Sequence, residues 1–252
     1  MTKALEGQNI LVTGASGGIG AAIVKQLAAE GARPVIHYGR DKEGAEALLS
    51  EIGGDGWIVQ SDLSSDKGPF ELWKKSVAEA GRLHALVNNA GIRTEVSIEA
   101  SPSEWKAAWQ REFQINFFAA ADLCKEAIRH FKTNGGGRIV NMASRAGQRG
   151  YAADAMPYGS TKAALVNLTK SIARSFGADG VTAVAIAPGW VRTEMAEEFI
   201  AAYGKAAAVS DIPIAEMAEP SEVAELVAFI LRPSQTSLNG ATLDVNGGSY
   251  TR

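Results

Sequence analysis

The chain has 252 residues, 46% of them hydrophobic and 21% charged, with 25 basic against 28 acidic side chains and a net charge of −3. Such a composition supports a large buried core and excludes a disordered or collagen-like chain, and the near-balanced charge, with no basic run, excludes a surface built for nucleic acid or membrane. No apolar stretch approaches the roughly 20 residues of a membrane span, the single cysteine, Cys124, has no internal disulfide partner, and no basic and apolar leader precedes Gly7, so a cytoplasmic location is expected.

Seven apolar runs, at residues 10–12, 35–36, 57–59, 85–87, 139–140, 182–186 and 241–245, are too short for helices and predict buried strands. Between them a helical period recurs, as in Ile19, Ile23 and Leu27, then Ala45, Leu48, Leu49 and Ile52, then Val223, Leu226, Val227 and Ile230. Strands apolar on both faces and separated by helices imply a doubly wound α/β fold of the Rossmann type: a parallel sheet with helices on both faces, read as one domain over residues 1–252. Pro157 and Pro220 predict helix starts, and Gly31 and Gly177 predict helix ends. Residues 190–220 interrupt the rhythm and read as a mobile lid over a substrate, with a rigid helical pair as the alternative.

The first strand runs directly into Thr13-Gly14-Ala15-Ser16-Gly17-Gly18-Ile19-Gly20 and then a helix. Glycines there let the main chain approach a pyrophosphate, and the free N–H groups of the helix N-terminus point at its oxygens. Glycines at 14, 18 and 20 give a pattern that resembles the T-G-x-x-x-G-x-G of the classical short-chain dehydrogenase/reductase family. Further matches follow in that family's order: Asn88-Asn89-Ala90-Gly91, Asn116, Ser144, Tyr158-x-x-x-Lys162, Pro188-Gly189 and Asp244-Val245-Asn246-Gly247-Gly248. They span nearly the whole chain. The resemblance implies an oxidoreductase that interconverts a carbonyl and a secondary alcohol by hydride transfer with a nicotinamide cofactor.

The end of the second strand selects that cofactor, because NAD calls for an acid at the ribose 2′-OH and NADP for a cation at the 2′-phosphate. In the run His37-Tyr38-Gly39-Arg40-Asp41, the resemblance places Gly39 where the acid would stand, with Arg40 next to it, so NADP(H) is expected. Asp41 keeps NAD(H) open if the strand ends one residue later. By the same resemblance Gly14, Ser16, Gly18, Ile19 and Gly20 lie at the phosphates, Asp62 and Leu63 at the adenine, and Asn89, Ala90 and Gly91 at the adenosine ribose. Pro188, Gly189, Val191 and Thr193 are expected beside the nicotinamide. Asp62 reads alternatively as a cap for a helix near Ser65.

Tyr158 and Lys162, four apart on a helix starting at Pro157, share one face. A phenol titrates at about 10, too high for a base at neutral pH, so the ammonium and the helix N-terminus are expected to favour its phenolate. In reduction Tyr158 donates its proton to the carbonyl oxygen. The resemblance also makes Lys162 a holder of the nicotinamide ribose, Ser144 the hydrogen-bond partner of the substrate oxygen, and Asn116 the residue that bends its helix and holds a water linking Lys162 to solvent. The segment from Ser144 to Tyr158 is one residue longer than is commonest in the family, which bears on the shape of the loop.

His37, His84 and His130 lack partners at ligand spacing, so no metal is expected, and Cys124 reads as core. Trp105, Trp109, Phe113 and Phe117 recur every fourth residue, a stripe for the core or a partner subunit, and the resemblance implies a homotetramer. Arg93, Arg145 and Arg149 fall near the expected pocket, where one facing inward would favour a substrate with a carboxylate, a phosphate or many hydroxyls. The family includes reductases of 3-oxoacyl groups on acyl carrier protein, which grip the acidic carrier with basic residues ahead of the strand leading to the serine and past the catalytic helix. Here those places read Asn134-Gly135-Gly136-Gly137 and Gly177-Ala178-Asp179. A small free carbonyl or alcohol is therefore the expected substrate, a carrier-bound 3-oxoacyl group the alternative, and a catalytically idle NADP-binding regulator the third reading. Within residues 190–220, Thr193 is placed to bond the nicotinamide carboxamide, and Phe199, Ile200 and Tyr203 to cover the pocket.

Overall fold

The seven apolar runs of the sequence mark the seven strands of the computed structural model, which describes residues 3–251, with Ala241 lying just ahead of its strand. The strands are β1 (Asn9–Val12), β2 (Arg33–Tyr38), β3 (Trp57–Gln60), β4 (Ala85–Asn88), β5 (Gly137–Met142), β6 (Val181–Pro188) and β7 (Thr242–Val245). All neighbours pair in parallel, in the order β3-β2-β1-β4-β5-β6-β7. The helices are α1 (Gly18–Ala29), α2 (Lys42–Glu51), α3 (Gly68–Ala80), α4 (Pro102–Phe113), α5 (Ala119–Thr133), α6 (Ala146–Arg149), α7 (Met156–Phe176), α8 (Glu194–Tyr203), α9 (Lys205–Val209) and α10 (Pro220–Leu231).

Successive strand residues point to opposite faces, and both faces are covered. Ile10, Val12 and Ile36 join α1, α2 and α10 in one apolar layer. Leu11, Val35 and Leu86 join α3, α5 and α7 in the other. The strand order turns back between β1 and β4, which opens a crevice at the carboxyl ends of those strands, the place where doubly wound sheets bind ligands.

Gly31 ends α1 as expected, at φ +93°. Gly177 caps α7, which ends at Phe176 as expected, but not as a left-handed terminator. It keeps a right-handed φ of −57°, a 3₁₀ turn follows over Gly177–Asp179, and Gly180, at φ +75°, supplies the left-handed stop. Between α4 and α5 the chain makes a π-helical turn, Gln114–Phe118, around buried Asn116.

A polar seam crosses the second apolar layer. Asn88 and Asn141 sit opposite one another in register on β4 and β5. The Asn88 amide donates to Asn141 Oδ1 at 2.9 Å, and the Asn141 amide donates to Thr169 Oγ1 of α7 at 2.9 Å. Cys124 belongs to this core, as expected, and burial pushes its thiol up to about 12.

Residues 190–220 carry a small apolar cluster of their own, Ala196, Ala208, Ile212 and Met217, with Trp190, Phe199 and Ile200 packed against it. The two ends of the segment are pinned together: Arg192 N–H donates to the Ala218 carbonyl at 2.9 Å, Ala218 N–H donates to the Trp190 carbonyl at 3.1 Å, and Arg192 pairs with Glu219. Among the described residues no helix is long and apolar enough to cross a membrane.

Candidate active site

The crevice holds a cleft of about 470 Å³, within the range of small-molecule sites. Its floor is the glycine loop, and the loop is held from below. The Thr13 hydroxyl accepts from the N–H groups of Asn89 (2.9 Å) and Ala90 (3.0 Å), while the Asn89 amide donates to the carbonyls of Thr13 and Gly14, each at 2.9 Å. Gly14 N–H donates to His37 Nδ1 at 3.0 Å, and His37 Nε2 lies 3.2 Å from the Ser61 carbonyl, so these partners assign the proton to Nε2. Burial lowers this imidazole to about 4 and keeps it neutral. Gly14 has φ +60°, and a Cβ there would press on Ala90, while a Cβ on Gly20 would run into the Gly14 carbonyl. Gly17 is the contrast, with nothing within 4 Å of its Cβ position. That open side faces a cleft wall where the first N–H groups of α1 have no acceptor within the helix.

At the second strand, β2 ends at Tyr38, Gly39 and Arg40 are exposed, and Asp41 caps α2 by accepting from Gly44 N–H at 2.9 Å. One oxygen of Asp41 thus serves its own helix, while the residue also lines the cleft. Asp62 is not the helix cap that was the alternative, since α3 begins only at Gly68 and Lys67 precedes it. Its carboxylate accepts from the main-chain N–H and the hydroxyl of Ser64, and these bonds, together with nearby Arg40, hold it below the usual carboxylate range. Leu63 is buried in the second apolar layer.

At the other wall, β5 leads to Ser144, whose oxygen accepts from Ala146 N–H at 3.1 Å and which is hydrogen-bonded to Tyr158. Pro157 starts α7 and places Tyr158 and Lys162 one turn apart. The Lys162 ammonium donates to the Met142 carbonyl at 2.8 Å and lies 5.6 Å from the centre of the Tyr158 ring. Burial lowers this lysine to about 8, although Glu112 opposes the shift. Burial pushes the Tyr158 phenol up to about 12, against the Ser144 hydrogen bond and the more distant charge of Arg93. The lowering expected from Lys162 and the helix terminus is therefore outweighed by desolvation, and Tyr158 stands as a protonated phenol at neutral pH.

Asn116 sits one layer behind. Its Oδ1 accepts from Ile92 N–H at 2.8 Å, and its amide donates to the Ile92 carbonyl (2.8 Å), Glu112 (3.1 Å) and Thr161 (3.3 Å). Glu112, unforeseen from sequence, is fully buried and also accepts from Thr94 N–H at 2.9 Å. Burial holds its carboxyl above the usual range despite these bonds and the nearby Lys162.

Among the expected residues, Ser16, Gly18, Ile19, Gly20, Asn89, Gly91, Ser144, Tyr158, Lys162, Pro188, Gly189, Val191 and Thr193 line the cleft together. Gly14, Ala90 and Asn116 act from beneath it, and Arg40, Asp62 and Leu63 stand apart from its walls. Gly17, Asp41, Arg93, Met142, Ala143, Arg145, Tyr151 and Trp190 also line it. From α8 the cleft receives Glu194 and Ala196, while Phe199 and Ile200 pack within the cluster of residues 190–220 instead of covering the pocket. The side chain of Tyr203 lies outside the described residues. The histidines do not assemble a metal centre: among the described residues no group of His, Cys, Asp and Glu is arranged to hold an ion.

A family model described as Enoyl-(Acyl carrier protein) reductase matches residues 14–250. The 3-oxoacyl-[acyl-carrier-protein] reductase of Vibrio cholerae is 34% identical over 98% of this chain and 98% of its own length. The cis-4-hydroxycyclohexanecarboxylate dehydrogenase of Sinomonas cyclohexanicum is 36% identical over 100% of this chain and 99% of its own. A short-chain dehydrogenase from Burkholderia cenocepacia, crystallised in complex with NADP, superposes with a TM-score of 0.87 at 32% identity, covering 98% of this chain and 99% of that one. With the glycine loop, the Ser144, Tyr158 and Lys162 wall and the parallel seven-stranded sheet in one molecule, the chain belongs to the short-chain dehydrogenase/reductase family.

Proposed function

We propose that the protein is an NADP(H)-dependent oxidoreductase that interconverts a carbonyl and a secondary alcohol on a small free substrate. The observation that carries this reading is Tyr158, hydrogen-bonded to Ser144 and one helical turn from buried Lys162, on the wall of a cleft floored by the glycine loop. The site suits the cofactor: α1 offers free N–H groups, Gly17 leaves its side open, and Arg40 is exposed while the Asp41 carboxylate is drawn onto α2. Bound there, the nicotinamide supplies or takes up a hydride. Gly14, Ser16, Gly18, Ile19 and Gly20 serve the pyrophosphate, Arg40 the 2′-phosphate, Asp62 and Leu63 the adenine, and Asn89, Ala90 and Gly91 the ribose beside it. Pro188, Gly189, Val191 and Thr193 serve the nicotinamide.

In reduction, Ser144 and Tyr158 hydrogen-bond the substrate oxygen, and Tyr158 gives it a proton. Its high pKa suits the role of acid, since the proton is present at the start. Lys162 stabilises the phenolate left behind and holds the nicotinamide ribose, and Asn116 holds the water that links Lys162 to solvent. The protein works as one cytoplasmic domain. The half-buried ladder of Trp105, Trp109, Phe113 and Phe117 along α4 is covered by a second copy in a homotetramer.

The names of several relatives favour a second reading, reduction of a 3-oxoacyl group on acyl carrier protein. The surface that would grip an acidic carrier argues against it: Lys132 pairs with Asp179 at 3.0 Å, Arg129 pairs with Glu126 at 3.3 Å, and the approach to β5 is asparagine and glycine. At about one-third identity, substrate is a property of the site and not of the fold.

The test is a cofactor-consumption screen over ketones, sugars, hydroxy acids including 4-hydroxycyclohexanecarboxylate, and 3-oxoacyl thioesters free and carrier-bound. Turnover of a free compound with NADP(H) is expected, and turnover of the carrier thioester alone overturns the substrate reading. Arg40→Ala is expected to weaken NADPH more than NADH by about 1–3 kcal/mol, the value of one charged hydrogen-bonded contact. Equal affinity of the unaltered protein for both cofactors overturns the cofactor reading.

A further inference from the structure

We infer that the substrate carries a carboxylate remote from its reacting carbon and that Arg93 receives it. The inference rests on the oxidoreductase reading above and adds the charge of the substrate. Arg93 follows Gly91 and Ile92 in the turn after β4 and lines the cleft. Its guanidinium lies 5.6 Å over the Tyr151 ring, and that ring lies 5.8 Å from the ring of Tyr158. The cation therefore stands one aromatic ring away from the group that handles the substrate oxygen.

Two features of Arg93 ask for a ligand. Its Nε is buried and bears no hydrogen bond among the described residues. A buried N–H without an acceptor costs free energy that a ligand oxygen recovers. Its Nη2 is met at 2.8 Å by Glu95, whose side chain is 51% exposed and so free to yield to water. The Nε and Nη2 edge of a guanidinium is suited to grip a carboxylate with two parallel bonds. Arg93 serves none of the cofactor subsites assigned above, so its charge is available to the substrate.

Further guanidiniums stand nearby, but they are already paired. Arg145, 4% exposed, also lines the cleft, and it shares the carboxylate of Asp211 with Arg149, at 3.1 and 2.8 Å. Three guanidiniums thus meet three carboxylates at this end, Glu95, Asp211 and the exposed Glu194. Deeper in, Lys162 is matched by Glu112. What the site leaves open is the buried Nε edge of Arg93. Tyr151 and Trp190 supply apolar walls between the charges, which suits a compact carbon skeleton, so the substrate class is small oxo acids and hydroxy acids.

The experiment titrates the NADP+-loaded protein by calorimetry with 4-oxopentanoate and 4-oxocyclohexanecarboxylate, each against its methyl ester, and repeats the comparison as kcat/KM for NADPH oxidation. At least one acid is expected to bind tenfold or more tighter than its ester. Arg93→Met should bring that ratio close to one, and Arg93→Lys should retain part of it, with thermal melting used to verify that both variants fold. Equal affinity of acid and ester in the unaltered protein, or an Arg93→Met variant that weakens both alike, overturns the inference. The two readings fail separately: neutral ketones turned over with no acid preference leave the oxidoreductase reading standing, and an acid preference without any NADPH oxidation leaves the carboxylate subsite standing.

Discussion

At the glycine end of the cleft, Thr13, Gly14, His37 and Asn89 hold one another through bonds of 2.9–3.0 Å that involve the main chain on at least one side. At the other end, Arg93, Arg145 and Trp190 come from separate loops, and residues 190–220 beside them rest on a cluster of their own. The first end offers main-chain N–H groups and leaves no room for a side chain to change. The second offers side chains alone, each replaceable without disturbing the sheet. A ligand common to many enzymes suits the first, and a substrate peculiar to one suits the second.

The largest test of that contrast is chemical. Tyr158→Phe removes only the transferable proton and is expected to lower kcat by about 10²–10⁴-fold while NADP(H) binding stays intact, whereas Lys162→Met should damage both. Retention of most of kcat in Tyr158→Phe breaks the assignment. Because burial lowers Lys162 to about 8, its ammonium loses its proton above that pH, and kcat/KM for reduction should decline there. A profile flat well past pH 8 would show that this charge is not needed.

Acid should attack the glycine end first. The His37 imidazole ordinarily titrates at 6.5 and in the fold only at about 4, so the unfolded chain takes up the proton before the folded one. Stability is then complete above pH 6.5 and is lost as the pH falls toward 4, by about 3 kcal/mol at most. Urea unfolding across this window, compared with His37→Gln, isolates the slope, and identical slopes would remove His37 from the account.

Two glycines sharpen the same point. Gly20→Ala forces a Cβ against the Gly14 carbonyl and is expected to cost about 1–3 kcal/mol of stability. Gly17→Ala meets open space, so it should leave Tm nearly unchanged and weaken the cofactor instead. Matching losses of Tm in both would erase the distinction between supporting the loop and receiving the ligand.

The smallest expected effect lies in the lid. Amide exchange over residues 194–209 should be faster than in the strands in the free protein and slow down when cofactor and substrate are both bound. Arg192→Gln, which unties the segment's two ends, should speed that exchange with little change in Tm. Full protection of the free protein would identify the segment as a rigid pair of helices.

The strands and the glycine loop were legible because their causes are local: a short run apolar on both faces, and a spacing of glycines dictated by close approach. Gly177 closes α7 as its position suggested, while the left-handed residue is Gly180, because a 3₁₀ turn intervenes. Asp41 was left open because a cap and a ribose acceptor require the same residue type, and only the helix register separates them. His37 and Glu112 were passed over for a different reason. Each is explained by partners farther along the chain, Gly14 and Ser61 for one, Thr94 for the other. Their signal in the sequence is a polar residue in a segment that must be buried, which announces a partner without naming it. The charge of the substrate end was suggested by three arginines in two loops, but only contact with Tyr151 and Asp211 distinguishes the ones in the wall from solvated ones.

The amide pair on β4 and β5 sets a vertical alignment. In a parallel sheet buried on both faces, apolar residues follow one another without alternation, so hydrophobicity alone tolerates a strand sliding past its neighbour. Asn88 opposite Asn141 removes that tolerance, because any slip would strand two amides in hydrocarbon and unhook Thr169. The residues just beyond the pair are Asn89, which braces the glycine loop, and Met142, whose carbonyl holds Lys162. The two walls of the cleft hang from these strands as from two rulers clamped at a single mark. The distance from phosphate floor to proton donor is accordingly a matter of sheet registration, decided in the core before any ligand arrives.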